Sequence, residues 1–372
     1  SMASSIVSFV KREAVGCIAL LCALVSMIFV PPSAAYLGYI DFRVLALLFC
    51  LMAVVAGLQD CGLFAVLAQK LLTGKKRMRF ISLVLVLLPF FVSMLITNDV
   101  ALITFVPFTL LVLGLVGRME RALYLVVLQT LAANLGSMAT PVGNPQNLYL
   151  YSAFGIPAGE FFAVMAPLTL VSLVGLSIAA LCVKPEGIEV RFPEKQTIRR
   201  PQQLWLMVVL FLLCLLSVFH VLHYAVLLAI VAVCLLLFAR HLFPRVDYGL
   251  LFTFVCFFIF AGNIGDIPAV KDFLSSVMAE NTFITSLCAS QIISNVPAAV
   301  LLSGFTEDWK GLLLGTDVGG LGTLIASLAS LISFRLYLKS PGAKSLRYLG
   351  VFTLANLVGL VILIAVSLIF LL

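Results

Sequence analysis

The stretch that decides the fold runs Lys75-Lys76-Arg77-Met78-Arg79, then ISLVLVLLPFFVSMLI (residues 81–96), then Thr97-Asn98-Asp99, then VALITFVPFTLLVLGLV (residues 100–116), then Gly117-Arg118. Two apolar arms meet at a polar triplet, and both outer ends are basic. Lys/Arg-rich loops remain on the cytoplasmic side of a membrane. With both ends cytoplasmic, the unit enters and leaves by one face. The first arm is a little short of the ~20 residues that cross the hydrocarbon. Polar backbone at that depth is tolerated only where it is buried in protein or lines a cavity. The unit therefore reads as a re-entrant hairpin over about residues 81–117 with its tip at Thr97-Asn98-Asp99.

Working outward, the remainder is a polytopic all-α membrane chain. Of 372 residues 63% are hydrophobic and 10% charged, where a soluble domain is about half apolar and a quarter charged. The runs are long and apolar on every side, unlike the short alternating segments of a membrane barrel. Spans are expected at Ala14–Val30, Val44–Gly57, Phe161–Val183, Leu204–Phe219, Leu222–Leu242, Leu250–Gly262 and from Tyr348 onward. Residues 123–151 hold Thr140-Pro141-Val142-Gly143-Asn144-Pro145-Gln146-Asn147, whose prolines and glycine break a helix in mid-membrane. A second hairpin is expected over about residues 283–305 around Ser294-Asn295-Val296-Pro297, flanked by acids, so that it enters from outside. A second broken helix follows at about 312–338, interrupted around Thr316-Asp317-Val318-Gly319-Gly320 and Gly322-Thr323. The count is about nine full spans plus two hairpins. Lys11 and Arg12 place the N-terminus in the cytoplasm and the C-terminus outside. This layout leaves only Arg43, Lys271 and Lys310 of the 23 Lys/Arg on the outer side.

The net charge of +7 thus reads as topology, not as a nucleic-acid surface. The nine cysteines, with no CxxC pair, read as buried, reduced packing residues. No P-loop is present to use ATP. An intramembrane hydrolase would need a Ser/Lys, metal or paired-Asp constellation, and a passive channel would not need inverted hairpins. The chain reads as a transporter and not as an enzyme.

The halves repeat. Each follows the order two spans, amphipathic stretch (Gln59–Leu72, Asp266–Ala279), hairpin, broken helix, final span. Gly136 and Gly143 match Gly315 and Gly322 at the same seven-residue spacing. Residues 1–183 form the first repeat, 184–221 a cytoplasmic loop and linker helix, and 222–372 the second, inverted because the linker helix carries the chain across once more. Inverted repeats place a site at the midplane, between broken helices and hairpin tips.

The tip motif Thr97-Asn98-Asp99, the unwound segment Thr140 to Asn147 and the break Gly315-Thr316-Asp317-Val318-Gly319 resemble those of the ion-transporter superfamily. That group holds citrate and divalent-anion transporters, arsenite permeases and sodium/proton antiporters, and this chain looks most like its short anion permeases. The resemblance implies an elevator mechanism in a homodimer. The hairpins and broken helices would move against a scaffold of the remaining spans, joined by the amphipathic arms. The dicarboxylate branch has Ser-Asn-Thr at both tips, where this chain has Thr97-Asn98-Asp99 and Ser294-Asn295-Val296.

Carboxylates at membrane depth mark ion or proton pathways, so Asp99 and Asp317 are the leading candidates for coupling. Asn98 and Asn295 offer donors and acceptors at the tips. The substrate and ion site is expected from Thr97, Asn98, Asp99, Thr140, Gly143, Asn144, Asn147, Ser294, Asn295, Thr316, Asp317, Gly319 and Thr323, with Na⁺ at Asn98, Asp99, Asn295 and Asp317. No cofactor is expected beyond Na⁺ or H⁺ as coupling ion. The partners are a small anion or cation, membrane lipid and a second copy of the chain. The expected function is a secondary active transporter of a small inorganic or organic anion in the inner membrane; sodium/proton antiport and arsenite efflux are the alternatives.

Overall fold

The computed structural model describes residues 2–6 and 13–372, so the expectation resting on Lys11 and Arg12 lies outside the described residues. The chain is a multi-pass helical membrane protein, with seven helices long and apolar enough to cross a bilayer among the described residues. The first half comprises α1 (Ala14–Phe29), α2 (Phe42–Asp60), α3 (Leu63–Leu72), α4 (Met78–Ile96), α5 (Asn98–Leu115), α6 (Ala122–Ser137), α7 (Pro145–Ala153) and α8 (Ala158–Leu181). Helix α9 (Pro201–Val218) links it to α10 (Tyr224–Phe238), α11 (Tyr248–Gly265), α12 (Pro268–Glu280), α13 (Thr282–Ile293), α14 (Asn295–Leu302), α15 (Trp309–Val318), α16 (Leu328–Leu338) and α17 (Ser345–Val366).

Side-chain caps set many of these boundaries, because the first N–H groups of a helix need acceptors. Asp41 caps α2 and Asp247 caps α11. Asn144, Asn281 and Asp308 cap α7, α13 and α15. Gly62, at φ 76°, turns the chain between α2 and α3.

Three boundaries differ from the sequence expectation. Helix α4 starts at Met78 and has 19 residues, so the first arm is long enough to cross by length alone. Met78 follows directly on a strand, which lets the helix begin at once. Thr316 and Asp317 lie in the last turn of α15, and the break begins only at Gly319. The basic cluster and the polar loop after α8 are not plain loops: β1 (Gly74–Arg77) pairs antiparallel with β2 (Gly187–Val190). The cysteines also divide, since Cys182 and Cys288 are exposed and not buried.

Both interrupted units fold back on themselves. The outer ends of α4 and α5 meet at one residue: Met78 N donates to Glu186 O at 2.8 Å, and Arg118 and Arg121 pair with the Glu186 carboxylate at 2.8 and 2.9 Å. The outer ends of α13 and α14 meet through Thr282 and Thr306, whose hydroxyls are 3.4 Å apart. Arms of 12 and eight residues reach only ~18 and ~12 Å, so this second hairpin cannot cross a ~30 Å hydrocarbon layer. The first tip stops at the level of the first break, where the Thr140 hydroxyl donates to Met94 O.

The hydrogen bond from Arg118, with Arg121 beside it, holds the Glu186 carboxyl down to about 2 from an ordinary 4.5. A carboxylate depressed in this way stabilises the fold above its ordinary range and loses that contribution as pH falls toward about 2. Protection against hydrogen exchange over residues 115–121, taken relative to the intrinsic amide rate at each pH, should therefore fall between pH 4.5 and 2, and Glu186→Gln should show the lower protection already at neutral pH. An unchanged pH profile in the variant would remove Glu186 as the clasp.

The helices pack in two groups. Helices α4 to α8 and α13 to α17 form a core, in which α8 packs on α4 and α6, and α17 on α6. Helices α1, α2, α9, α10 and α11 pack chiefly on one another. The segment after β2 runs beside α3 between the two groups. Gln69 Nε2 donates to Glu194 O at 2.9 Å, Arg199 N donates to Cys61 O at 3.0 Å, and Arg200 pairs with Asp60 at 2.7 Å.

Candidate functional site

The tips are built from the same unusual backbone. Thr97 has φ 83° and ψ 156°, and Ser294 has φ 76° and ψ 155°. That region is nearly confined to glycine, and a side chain held there is a strain that clusters at functional sites. At each tip the strained residue is followed by an asparagine that opens the second arm, Asn98 and Asn295.

Around the first tip lies a cavity of about 410 Å³. Thr97, Asn98 and Asp99 line it from α5's start, Val142, Asn144 and Pro145 from the first break, and Leu51, Val55 and Gln59 from α2. Its lining continues to Arg245 and Asp247, at the basic end of the molecule. There Arg245 donates to Gln59 Oε1 at 2.9 Å, while Asp60 pairs with Arg200 at 2.7 Å and His241 at 3.0 Å. The half-buried Asp99 thus faces a cleft whose charged lining is two acids and one arginine.

Other expected residues are committed to structure. Asn144 Oδ1 accepts from Asn147 N at 2.9 Å, and Asn144 Nδ2 donates to Ser137 Oγ at 3.3 Å. Asn147 Nδ2 donates to Met138 O and Thr140 O at 3.1 Å each, bracing the break. A Cβ on Gly143 would strike Ser137 O. The Thr316 hydroxyl bonds within its own helix to Leu312 O at 2.8 Å, and Thr323 is exposed with its hydroxyl on Gln291 O at 2.9 Å. Ser294 and Asn295 are buried against the second break, Asn295 N donating to Ala326 O at 3.0 Å, with Gly320 beside the Asn295 amide. Gly319 lies against α13, where a Cβ would meet Ser290. Asp317 is 3% exposed and bonds Gln146 Nε2 at 3.1 Å. The two acids therefore occupy different places: Asp99 lines the cavity, and Asp317 is enclosed behind α7.

Sequence reasoning missed the residues that tie these pieces together. Asn134, on α6, accepts from Asn98 Nδ2 at 3.2 Å and from Ser327 Oγ at 3.1 Å, and donates to Ser330 Oγ at 3.3 Å. It joins the first tip to the second broken helix. Gln129 donates to Leu85 O at 2.8 Å and Thr109 Oγ1 at 2.6 Å, tying both arms of the first hairpin to α6. Gln291 does the same at the second break, donating to Gly319 O at 2.7 Å and Leu321 O at 2.8 Å. The signal was a polar stripe on apolar helices: Thr130, Asn134 and Ser137 on α6, and Ser327, Ser330 and Ser333 along the start of α16, recur at helical spacing.

A cleft from a strained hairpin tip to one end of a helical membrane bundle suits passage of a small solute, and comparison with known proteins decides the family. The model of the citrate transporter family matches residues 4–306. The chain belongs to the citrate transporter family. It is 31% identical over 336 residues to an uncharacterized transporter of Methanocaldococcus jannaschii, covering 89% of this chain and 90% of that protein. It is 32% identical over 306 residues to the inner membrane protein YbiR of Escherichia coli K12, covering 80% of each. A shorter match, 32% over 144 residues and 29% of that protein, is to the silicon efflux transporter LSI3 of Oryza sativa subsp. japonica. As a member of this family the chain is a secondary transporter and not an enzyme.

Proposed function

We propose that this chain moves a small inorganic or organic anion across the inner membrane, coupled to Na⁺ or H⁺, with the solute held between the first hairpin tip and the first break. The observation that carries this reading is the cavity itself: Asn98, Asp99 and Asn144 converge on it from two interrupted elements. Its charge explains the coupling. Asp99 and Asp247 outweigh Arg245, so an anion enters only when a cation accompanies it at Asp99.

The inverted-repeat reading is supported by the packing. The first hairpin arm packs on the first half of its broken helix in both halves, α4 on α6 and α13 on α15. The second arm of each hairpin packs on the other half's broken helix, α5 on α16 and α14 on α7. Likewise α11 packs on α1 and α2 on α10. Among the contacts that depart from this correspondence, one bears on the cavity. Helix α11 packs closely along α14, whereas α2 and α5 are joined through Gln59 Nε2, which donates to Thr104 Oγ1 at 3.1 Å, and leave the cavity between them. Exchange of these two arrangements would close the cavity at the basic end and open its counterpart at the other. With the basic end in the cytoplasm this is an inward-open state. The core of α4 to α8 and α13 to α17 would be the element that moves, as an elevator, in each protomer of a homodimer. Helices α8 and α17 then travel with the core and not with the scaffold.

Sodium/proton antiport is the second reading, favoured by the acidic lining of the cavity. Efflux of a small neutral oxyacid such as arsenite is the third, favoured by the relative named for silicon efflux.

Thermal unfolding of the detergent-purified chain across Na⁺, pH and a panel of small anions tests these readings. A ligand at a hundredfold its Kd stabilises by about 2.7 kcal/mol. The proposal expects an anion to stabilise only together with the coupling cation. Stabilisation by Na⁺ alone, growing with pH and with no increment from any anion, would replace it with antiport.

A further inference from the structure

Cations gather where the chain enters α4. Lys70 lies on α3, Lys75, Lys76 and Arg77 form most of β1, and Arg79 sits in the first turn of α4. Arg79 Nε donates to Val183 O at 2.9 Å, which brings Lys184 beside them. All but the half-exposed Lys76 are exposed. None of the six pairs with a carboxylate among the described residues. The acids next to them are taken, Glu186 by Arg118 and Arg121, and Glu189 by Arg191 at 2.9 Å.

Apolar side chains stand among these charges. Helix α3 buries Phe64, Ala68 and Leu72 but exposes Leu67 and Leu71 on either side of Lys70. Phe80, in the first turn of α4, is exposed too, and the Lys76 ammonium lies 5.5 Å from the centre of its ring. Aromatic rings and the stems of long basic side chains collect where acyl chains give way to headgroups. The strand pair fixes the spacing of the charges. Lys75 and Arg77 project from one face and Lys76 from the other, around a recess of about 420 Å³ that Gly187, Ile188 and Glu189 complete. Topology asks only that positive charge lie on this side. It does not ask for unpaired cations around exposed leucines. A soluble acidic partner would match the charges but leave Leu67, Leu71 and Phe80 in water. A lipid matches both.

We propose that α3, β1 and the first turn of α4 form a docking surface for anionic phospholipid. Leu67, Leu71 and Phe80 lie against acyl chains, and Lys75, Lys76 and Arg77 meet headgroup phosphates. Each Lys or Arg close to an anionic leaflet strengthens the attraction about fivefold. The surface belongs to the segment that runs between the two helix groups: Gln69 on α3 accepts from Gln196 N at 2.7 Å and donates to Glu194 O at 2.9 Å. Bound lipid holds α3 and this strap at the membrane surface, whatever solute the cavity takes.

Titration of short-chain phosphatidylglycerol into the detergent-purified full chain, read by hydrogen exchange over residues 67–80, tests this. Protection is expected with phosphatidylglycerol and not with short-chain phosphatidylcholine. In the triple variant Lys75→Gln, Lys76→Gln, Arg77→Gln the apparent Kd should rise about a hundredfold, at about fivefold for each charge. The control is Lys339→Gln, Lys344→Gln, Arg347→Gln, which removes the same charge from another basic end and should bind as the native chain does. Raised NaCl should weaken binding to the native chain, a reading that needs no variant should the first one fail to fold. Equal protection by the two lipids, an unchanged Kd in the β1 variant, an equal loss in the control, or the same protection from inorganic phosphate alone would overturn the proposal. No solute has to move in this assay, so failure of the transport reading leaves it in place.

Discussion

Gly136→Ala should abolish the folded state or reduce Tm by many degrees, and Gly315→Ala should do nearly the same. A Cβ on Gly136 would collide with Phe90 O and Ser93 Oγ of α4, and one on Gly315 with Ser286 Oγ and Phe283 O of α13. In both cases the obstacle includes a backbone carbonyl, which cannot rotate away. Small residues let membrane helices approach until their backbones touch, and here that approach seats each hairpin on its own broken helix. Overpacking a tight contact costs about 1–3 kcal/mol even where side chains can yield, and a main-chain clash should sit at or above the top of that range. Gly175→Ala on α8 is the control, because a Cβ there meets nothing within 4 Å. Helix propensity alone should leave it neutral or more stable, by up to about 1 kcal/mol. Size-exclusion profiles and detergent melts of the three variants decide the matter, and a Gly136→Ala protein as stable as Gly175→Ala would contradict the packing described.

The architecture was legible where polarity interrupts an apolar run. Thr97-Asn98-Asp99 announced the first tip because Asp99 is the one charged residue between Arg79 and Arg118, Ser294-Asn295-Val296-Pro297 marked the second, and the Pro-Gly-rich segment 139–147 announced the first break. The spacing pairs Gly136 with Gly315, and both occupy the same kind of close helix crossing. Strand pairing was hidden because Gly74–Arg77 reads as charge, and charge reads as loop; its partner lies more than a hundred residues away. The site was half legible. Asp99 could be placed by its tip, but Asp317 could not be separated from it, because only packing shows that it sits behind α7 on Gln146. Asn134 escaped because one amide in an apolar helix looks like any other satisfied core residue. Its role follows from two long-range neighbours, Asn98 and the pair Ser327 and Ser330, that no local pattern joins to it.

That junction carries the second large effect. Asn134 is the point where the first tip, α6 and the second broken helix share hydrogen bonds, so it couples the two halves at the level of the cavity. Asn134→Leu keeps the volume but leaves Asn98 Nδ2, Ser327 Oγ and Ser330 Oγ without their partner. Ser327 and Ser330 are buried at 2% and 0% exposure, so water does not replace what they lose. A buried polar group stranded in this way costs about 1–3 kcal/mol, and two of them predict a loss of about 2–6 kcal/mol. Asn98 lines the cavity and regains water, so its loss appears as misplacement and not as desolvation. The variant should accordingly show two separable defects. Its Tm should fall without ligand, and the further stabilisation given by whichever anion and cation protect the native chain should fall by tenfold or more in apparent affinity. Asn134→Asp restores an acceptor for Asn98 and Ser327 but not the donor to Ser330, and it should recover ligand affinity ahead of stability. Equal recovery of both, or a Leu variant that binds as the native chain does, would mean that Asn134 only fills space between α6 and α16.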